Sequence, residues 1–195
     1  MFFWLANLST TTYVKRVCKV ALALCMFALA LEKATAGNFS ATLLVQSQNL
    51  EVDDQTLRLG MAVGGTDGYD VGLDVFAPPP PQAPINLDAY FPISHPIITR
   101  LSTDYRAVSD QAVYTLRVRA DKDPFTLSWD VSTVPGNSTD IQLIQKSPTI
   151  LNPIDMRSRE SVEFAPIDGS EYVFEIVLLQ NYVAFTVQSQ NLEID

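Results

Sequence analysis

Three aspartates stand close together in the stretch TDGYDVGLD, at Asp67, Asp70 and Asp74, with Asp53 and Asp54 upstream. Calcium takes six to eight oxygen ligands from carboxylates and carbonyls on irregular backbone, so Asp67, Asp70 and Asp74 are candidate calcium ligands. Their spacing is not that of an EF-hand, which places aspartate-type ligands at alternate positions before its glycine. Asp-Gly pairs also make turns, because the carboxylate accepts hydrogen bonds from nearby backbone N–H groups. The turn is the preferred reading, since it needs no unseen partner. Asp155 and Arg157 in DMRS lie two apart, which on a strand puts both on one face and predicts an ion pair bridging neighbouring strands. Arg100, Arg106, Arg117 and Arg119 read as solvated face residues.

Catalysis has little to draw on. His95 is the single histidine and sits in SHP within a proline-rich stretch. A Ser-His-Asp arrangement would have to use it, yet the chain has no G-x-S-x-G elbow. Zinc sites draw on several His or Cys ligands, and the two cysteines, Cys18 and Cys25, both lie in the leader described next. Aspartate and glutamate are plentiful enough for two-carboxylate glycoside hydrolysis, but no pair stands out. The expectation is a protein that is not an enzyme and holds no cofactor, calcium apart.

The first 36 residues read as a cleaved leader. Lys15, Arg16 and Lys19 precede an apolar run from Val20 to Leu31, and EKATAG then places Ala34 and Ala36 at the small-residue positions of a signal-peptidase site. Cleavage is expected after Ala36. As a helix the run spans roughly 18 Å, against a hydrocarbon core of about 30 Å, too short for an anchor. Leu24 before Cys25 argues against lipidation, which needs a small residue there. Losing the leader removes both cysteines, four of the 13 basic residues and one of the 22 acidic ones, so the net charge moves from −9 to −12. That charge repels nucleic acid and anionic membranes, and no second long apolar run follows. The expected product is secreted or cell-surface, without disulfides, not inserted in a membrane after cleavage, and attractive to divalent cations.

The elements that must position these residues have a period of two. YTLRVRA sets Tyr114, Leu116 and Val118 on one face; FTLSWD does the same with Phe125, Leu127 and Trp129; TLRLGMAV with Leu57, Leu59, Met61 and Val63; EYVFEIVL with Tyr172, Phe174, Ile176 and Leu178. Turn chemistry divides them at GGTDG, KDP, VPGNSTD, NP and PIDGS. No stretch has the pattern of an amphipathic helix. About nine to eleven short strands at this spacing predict an all-β sandwich, with a closed barrel as the alternative. Prolines at 78–81, 84, 92 and 96 argue against a regular central strand over residues 77–97, and APPPPQAP reads as an extended connector.

The ordered set of DGYDVGLD, the proline run, LSTDYR, YTLRVRAD, LSWD and DMRS resembles a module recurring in secreted and surface proteins of bacteria and some archaea, over about residues 56–179. There it often sits near the C-terminus of large extracellular enzymes or adhesins. The resemblance implies an immunoglobulin-like β-sandwich with no established activity. Here the module is nearly the whole mature chain, which favours a stand-alone structural role.

One feature lies outside that resemblance. VQSQNLEVD at 45–53 returns as VQSQNLEID at 187–195, with Val52 against Ile194 the single difference. Each copy follows an apolar stretch, so the chain divides into a leader at 1–36, a strand segment at 37–55, the module at 56–181 and a second strand segment at 182–195. Three explanations compete: a duplication remnant, two edge strands in equivalent places, or exchange of a terminal strand between molecules. Strand exchange would use Val45, Gln46, Leu50, Val52, Val183, Phe185, Val187, Leu192 and Ile194, and would give a head-to-tail extracellular filament. Partners are therefore expected to be another copy of the chain, another surface protein or a glycan.

Overall fold

The computed structural model describes residues 38–49, 51–82, 85–136, 139–167 and 169–180. Eleven strands and no helix occur among them: β1 (Phe39–Ser47), β2 (Gln55–Met61), β3 (Val75–Phe76), β4 (Asp88–Pro92), β5 (Arg100–Arg106), β6 (Gln111–Arg119), β7 (Phe125–Asp130), β8 (Thr139–Ser147), β9 (Ile154–Asp155), β10 (Ser161–Phe164) and β11 (Tyr172–Gln180). The all-β expectation holds. The apolar positions of β1, β6, β7 and β11 alternate buried and half-buried along each strand, as a period of two requires.

The strands form one mixed, curled sheet in the order β10-β7-β1-β2-β5-β4-β6-β11-β8-β9, with β3 also on β5. All pairs are antiparallel except β2 with β5. The curl has an identifiable joint at β4. Its last residues, Phe91 and Pro92, pair with Leu101 and Arg100 of β5, while Asp88 to Tyr90 pair with β6. Where β2 and β4 diverge, the Gln55 side chain bridges them: its Oε1 accepts from Ala89 N at 2.6 Å and its Nε2 donates to Leu87 O at 3.1 Å.

Both halves of the sheet contribute to a single hydrophobic cluster, from Phe39, Leu43 and Leu59 on one side to Leu116, Ile141 and Phe174 on the other. Rings of β7 and β10 meet rings of β11: Phe125 lies 5.3 Å from Tyr172, and Phe164 lies 5.0 Å from Phe174, centroid to centroid. Tyr114 of β6 donates its hydroxyl to Gly60 O of β2. At Gly60 a Cβ would stand 2.1 Å from Phe39 O and 2.8 Å from a Tyr105 ring carbon, so only glycine allows β1, β2 and β5 to approach this closely.

Two local expectations change. The alternation of TLRLGMAV ends at Met61, and Val63 is 80 % exposed in the turn beyond it. The proline-rich stretch does contain an interior strand, β4, which is short and carries Pro92 at its end, where the missing N–H costs least. The run Pro78–Pro81 is exposed and lies outside the strands.

Candidate functional site

The aspartates of TDGYDVGLD do three different things. Asp70 accepts from Thr66 N at 2.5 Å and from the Thr66 hydroxyl at 3.0 Å, closing the loop on itself. Asp74 is 5 % exposed; its Oδ2 accepts from Asp70 N and its Oδ1 from Tyr105 N, each at 2.8 Å, which fastens the loop to β5. Burial pushes the Asp74 carboxyl above its usual value, against the pull of those two N–H groups. Asp67 is 90 % exposed, 3.8 Å from Arg106 Nη1. Gly72 supplies the positive φ of 88° that the turn between Asp70 and Asp74 needs. Among the described residues, no group of three or more His, Cys, Asp or Glu side chains is arranged to hold a metal ion.

The arginines expected on solvated faces divide into two kinds. Arg100 is largely buried, forks onto both oxygens of Asp88 and stacks 3.9 Å over the Tyr90 ring. Arg106 pairs with Asp104 at 3.0 Å, donates to Val113 O and lies 4.5 Å over the Tyr114 ring. Asp104 is 1 % exposed; burial raises its carboxyl above the ordinary value and Arg106 opposes the rise. Burial likewise drives the Tyr114 phenol upward, so it stays protonated and donates to Gly60. Arg117 with Glu171 and Arg119 with Asp121 make the more exposed pairs.

The sequence motifs meet one another. Trp129 of LSWD donates its indole N–H to Met156 O and Arg159 O, both at 2.7 Å, and its backbone N–H to Glu160 O. It thereby holds the turn that DMRS builds. The expected pair of Asp155 with Arg157 is replaced by other contacts. Asp155 ends β9 and caps Arg157 N at 2.9 Å, while the Arg157 guanidinium donates to the carbonyls of Val134, Pro135 and Thr139. His95 Nδ1 accepts from Ile97 N and Ile98 N, closing its own loop.

The N-terminal copy of the nonapeptide begins as the end of β1, at Val45 to Ser47, and continues into the turn after it. Val45 is fully buried in β1, and Gln46 is half-buried and donates to Asp54 Oδ2 at 2.8 Å. Beyond Ser47 the chain turns: Ser47 Oγ accepts from Asn49 N, Asn49 Oδ1 accepts from Glu51 N, and Asn49 Nδ2 reaches Asp123 Oδ2 at 3.2 Å. Val52 packs against the core from this turn. β1 is hydrogen-bonded on both sides, to β2 and to β7, so it is an interior strand and the reading of two equivalent edge strands is corrected. Leu50 and the C-terminal positions Val183, Phe185, Val187, Leu192 and Ile194 lie outside the described residues. Beside the turn a cleft of about 570 Å³ opens between Val52, Gln55, the prolines at 78, 79 and 81, and the Arg100–Asp88 pair.

Comparison of the chain with protein-family models, with curated proteins and with solved structures found no match.

Proposed function

We propose that the chain is an exported, non-enzymatic module of extracellular structure, adhesion or ligand binding, and that its curled sheet is an immunoglobulin-like sandwich. The observation that carries this reading is the aim of the motif side chains. Asp70, Asp74, Trp129, Asp155 and Arg157 direct polar atoms at backbone groups of neighbouring turns and strands. A catalytic set aims such atoms at a point where a reacting group can sit. His95 is likewise engaged by backbone N–H groups. The sandwich is supported by one core drawn from both halves of the sheet and by the ring contacts of β7 and β10 with β11. Export is supported by the charged, apolar and A-x-A features of residues 1–36. The cleft beside Val52 is the surface we assign to a surface-protein or glycan partner.

Antibodies raised against residues 38–180 test the reading on intact cells. Labelling of unpermeabilised cells, or recovery in the medium of a chain beginning at Gly37, is the expected result. Labelling only after permeabilisation overturns it.

A further inference from the structure

Asn38, Phe39 and Ser40 form the triplet N-x-S with no proline between, the acceptor pattern for N-linked glycosylation of exported chains. A pattern of three residues recurs by chance, so a used acceptor must also present its amide to solvent after folding and leave the triplet free before it. Asn38 meets the first condition. It is exposed and directly precedes β1. Its Oδ1 accepts from Val63 N at 3.1 Å, which orients the amide, while its Nδ2 donates to no group among the described residues. Glycosylation replaces one of the two Nδ2 hydrogens and leaves the carbonyl oxygen as an acceptor, so the bond from Val63 survives.

The surroundings have room for a sugar. A shallow hollow of about 490 Å³ opens beside Asn38, bordered by Ser40, Ala62, Gly72, Tyr105 and Thr133. Two strongly exposed apolar side chains stand in the turns around it: Val63, 80 % exposed, is bonded to Asn38, and Val71, 88 % exposed, adjoins Gly72. A bulky, solubilising group at Asn38 screens apolar surface of this kind from other molecules. The second condition follows from chain order. In the finished fold Ser40 pairs with Gly60, its N–H bonds Thr133 Oγ1 at 3.3 Å, and its carbonyl accepts from the Thr133 hydroxyl, so β1 holds the triplet in the sheet. Yet β1 is completed only by β7, whose first residue lies 86 positions after Phe39. A chain exported from its N-terminus therefore delivers the triplet well before the strand that closes over it.

We propose that Asn38 carries an N-linked oligosaccharide, received from a lipid-diphosphate-linked donor as the chain is exported. The inference rests on the export reading of residues 1–36, because such donors present their sugar on the far side of the membrane. In the transfer, Nδ2 attacks C1 of the first sugar. The C1–N bond forms and the C1–O bond to the diphosphate breaks. The lipid diphosphate leaves with that electron pair, and Nδ2 gives up one proton to solvent. No group is oxidised or reduced. The product keeps the planar amide, its Oδ1 still facing Val63 N, with the sugar directed to the hollow and to solvent.

The test is glycopeptide mass spectrometry of the chain recovered from its own cells. Trypsin yields a peptide that contains Asn38 and ends at Arg58, separated from the second such triplet, at 137–139, by Arg100 and Arg119. That peptide should exceed its sequence mass by an oligosaccharide, with fragment ions placing the addition on Asn38. Ser40→Ala, which keeps Asn38 itself, should remove the added mass, and Asn38→Gln should do the same. Ser40→Thr, which keeps the hydroxyl, should retain it. A bare Asn38 in the native chain, or an addition that persists in Ser40→Ala, overturns the inference. An exported chain bare at Asn38 defeats this inference alone, whereas a bare chain retained inside the cell defeats the export reading with it.

Discussion

Asp74 shows what a single carboxylate does in this fold. Both of its oxygens hold backbone N–H groups, one in its own loop and one in β5, and burial raises its proton affinity. Asp74→Ala leaves two N–H groups without partners, and relief of the buried charge offsets only part of that; we expect a loss of about 2–4 kcal/mol by urea unfolding. Calcium would have to displace these donors from Asp74 and the Thr66 contacts from Asp70. Adding calcium, or chelating it, should therefore leave the melting temperature unchanged; a rise with calcium that Asp70→Ala removes would restore the metal reading. Asp104 predicts a pH trend. Folding raises its carboxyl above 3.8, so its contribution is complete below that pH and is lost as pH climbs through the raised value. Asp121 runs the other way: the Arg119 guanidinium holds it below 3.8, and its contribution is present above 3.8 and lost as pH falls through the lowered value. Relative to Asp104→Asn the native chain should gain stability as pH is lowered from 7 towards 4, and relative to Asp121→Asn it should lose its advantage below about 4. A constant difference across that range would contradict both assignments.

At the scale of elements, alternation in the sequence was enough to place β6, β7 and β11, because each buries one face and half-exposes most of the other. β5 was not legible in this way: Leu101 and Asp104, on opposite faces by a period of two, are both buried. An aspartate adds nothing to a hydrophobic period, so its burial goes unseen. The available signal was the Asp-x-Arg spacing. It suggested a pair at Asp155 and Arg157, where β9 has already ended, but is realised at Asp104 and Arg106 within β5, and in reverse order at Arg119 and Asp121. The motifs LSWD and DMRS were visible as motifs, yet that one grips the other depends on long-range folding. Trp129→Phe keeps the ring and removes the donor to Met156 O and Arg159 O, and should cost about 1–3 kcal/mol. Amide exchange should quicken over residues 156–160 with β7 unaffected; unchanged exchange there would mean that the indole N–H does not hold this turn. Gly60→Ala should destabilise by at least about 1–3 kcal/mol, because the contacting atoms include the backbone of β1.

For the whole molecule, the question is whether the C-terminal segment that ends in the second nonapeptide can stand in for β1. The repeat itself was plain in the sequence; that its N-terminal copy runs from the end of an interior strand into a docked turn was not, since polar residues such as Gln48 and Asn49 carry no periodic signal for either. Phe39, Leu43 and Val45 are buried in β1, and each large apolar side chain of this kind contributes about 1.5–3 kcal/mol. A chain comprising residues 48–180 has lost that strand and should not fold. A chain of residues 48–195 lacks β1 but keeps the second nonapeptide at 187–195. If a terminal strand is exchanged between molecules, these chains should fold only by associating, giving a β-rich circular dichroism spectrum that strengthens with concentration and open-ended assemblies in negative stain; a spectrum independent of concentration would contradict exchange. The synthetic peptide 38–53 should compete for the position and cap the assemblies, shortening them in proportion to its concentration. A chain of residues 48–195 that stays unfolded at every concentration, while peptide 38–53 restores its fold, would show that the position accepts β1 and rejects the C-terminal segment.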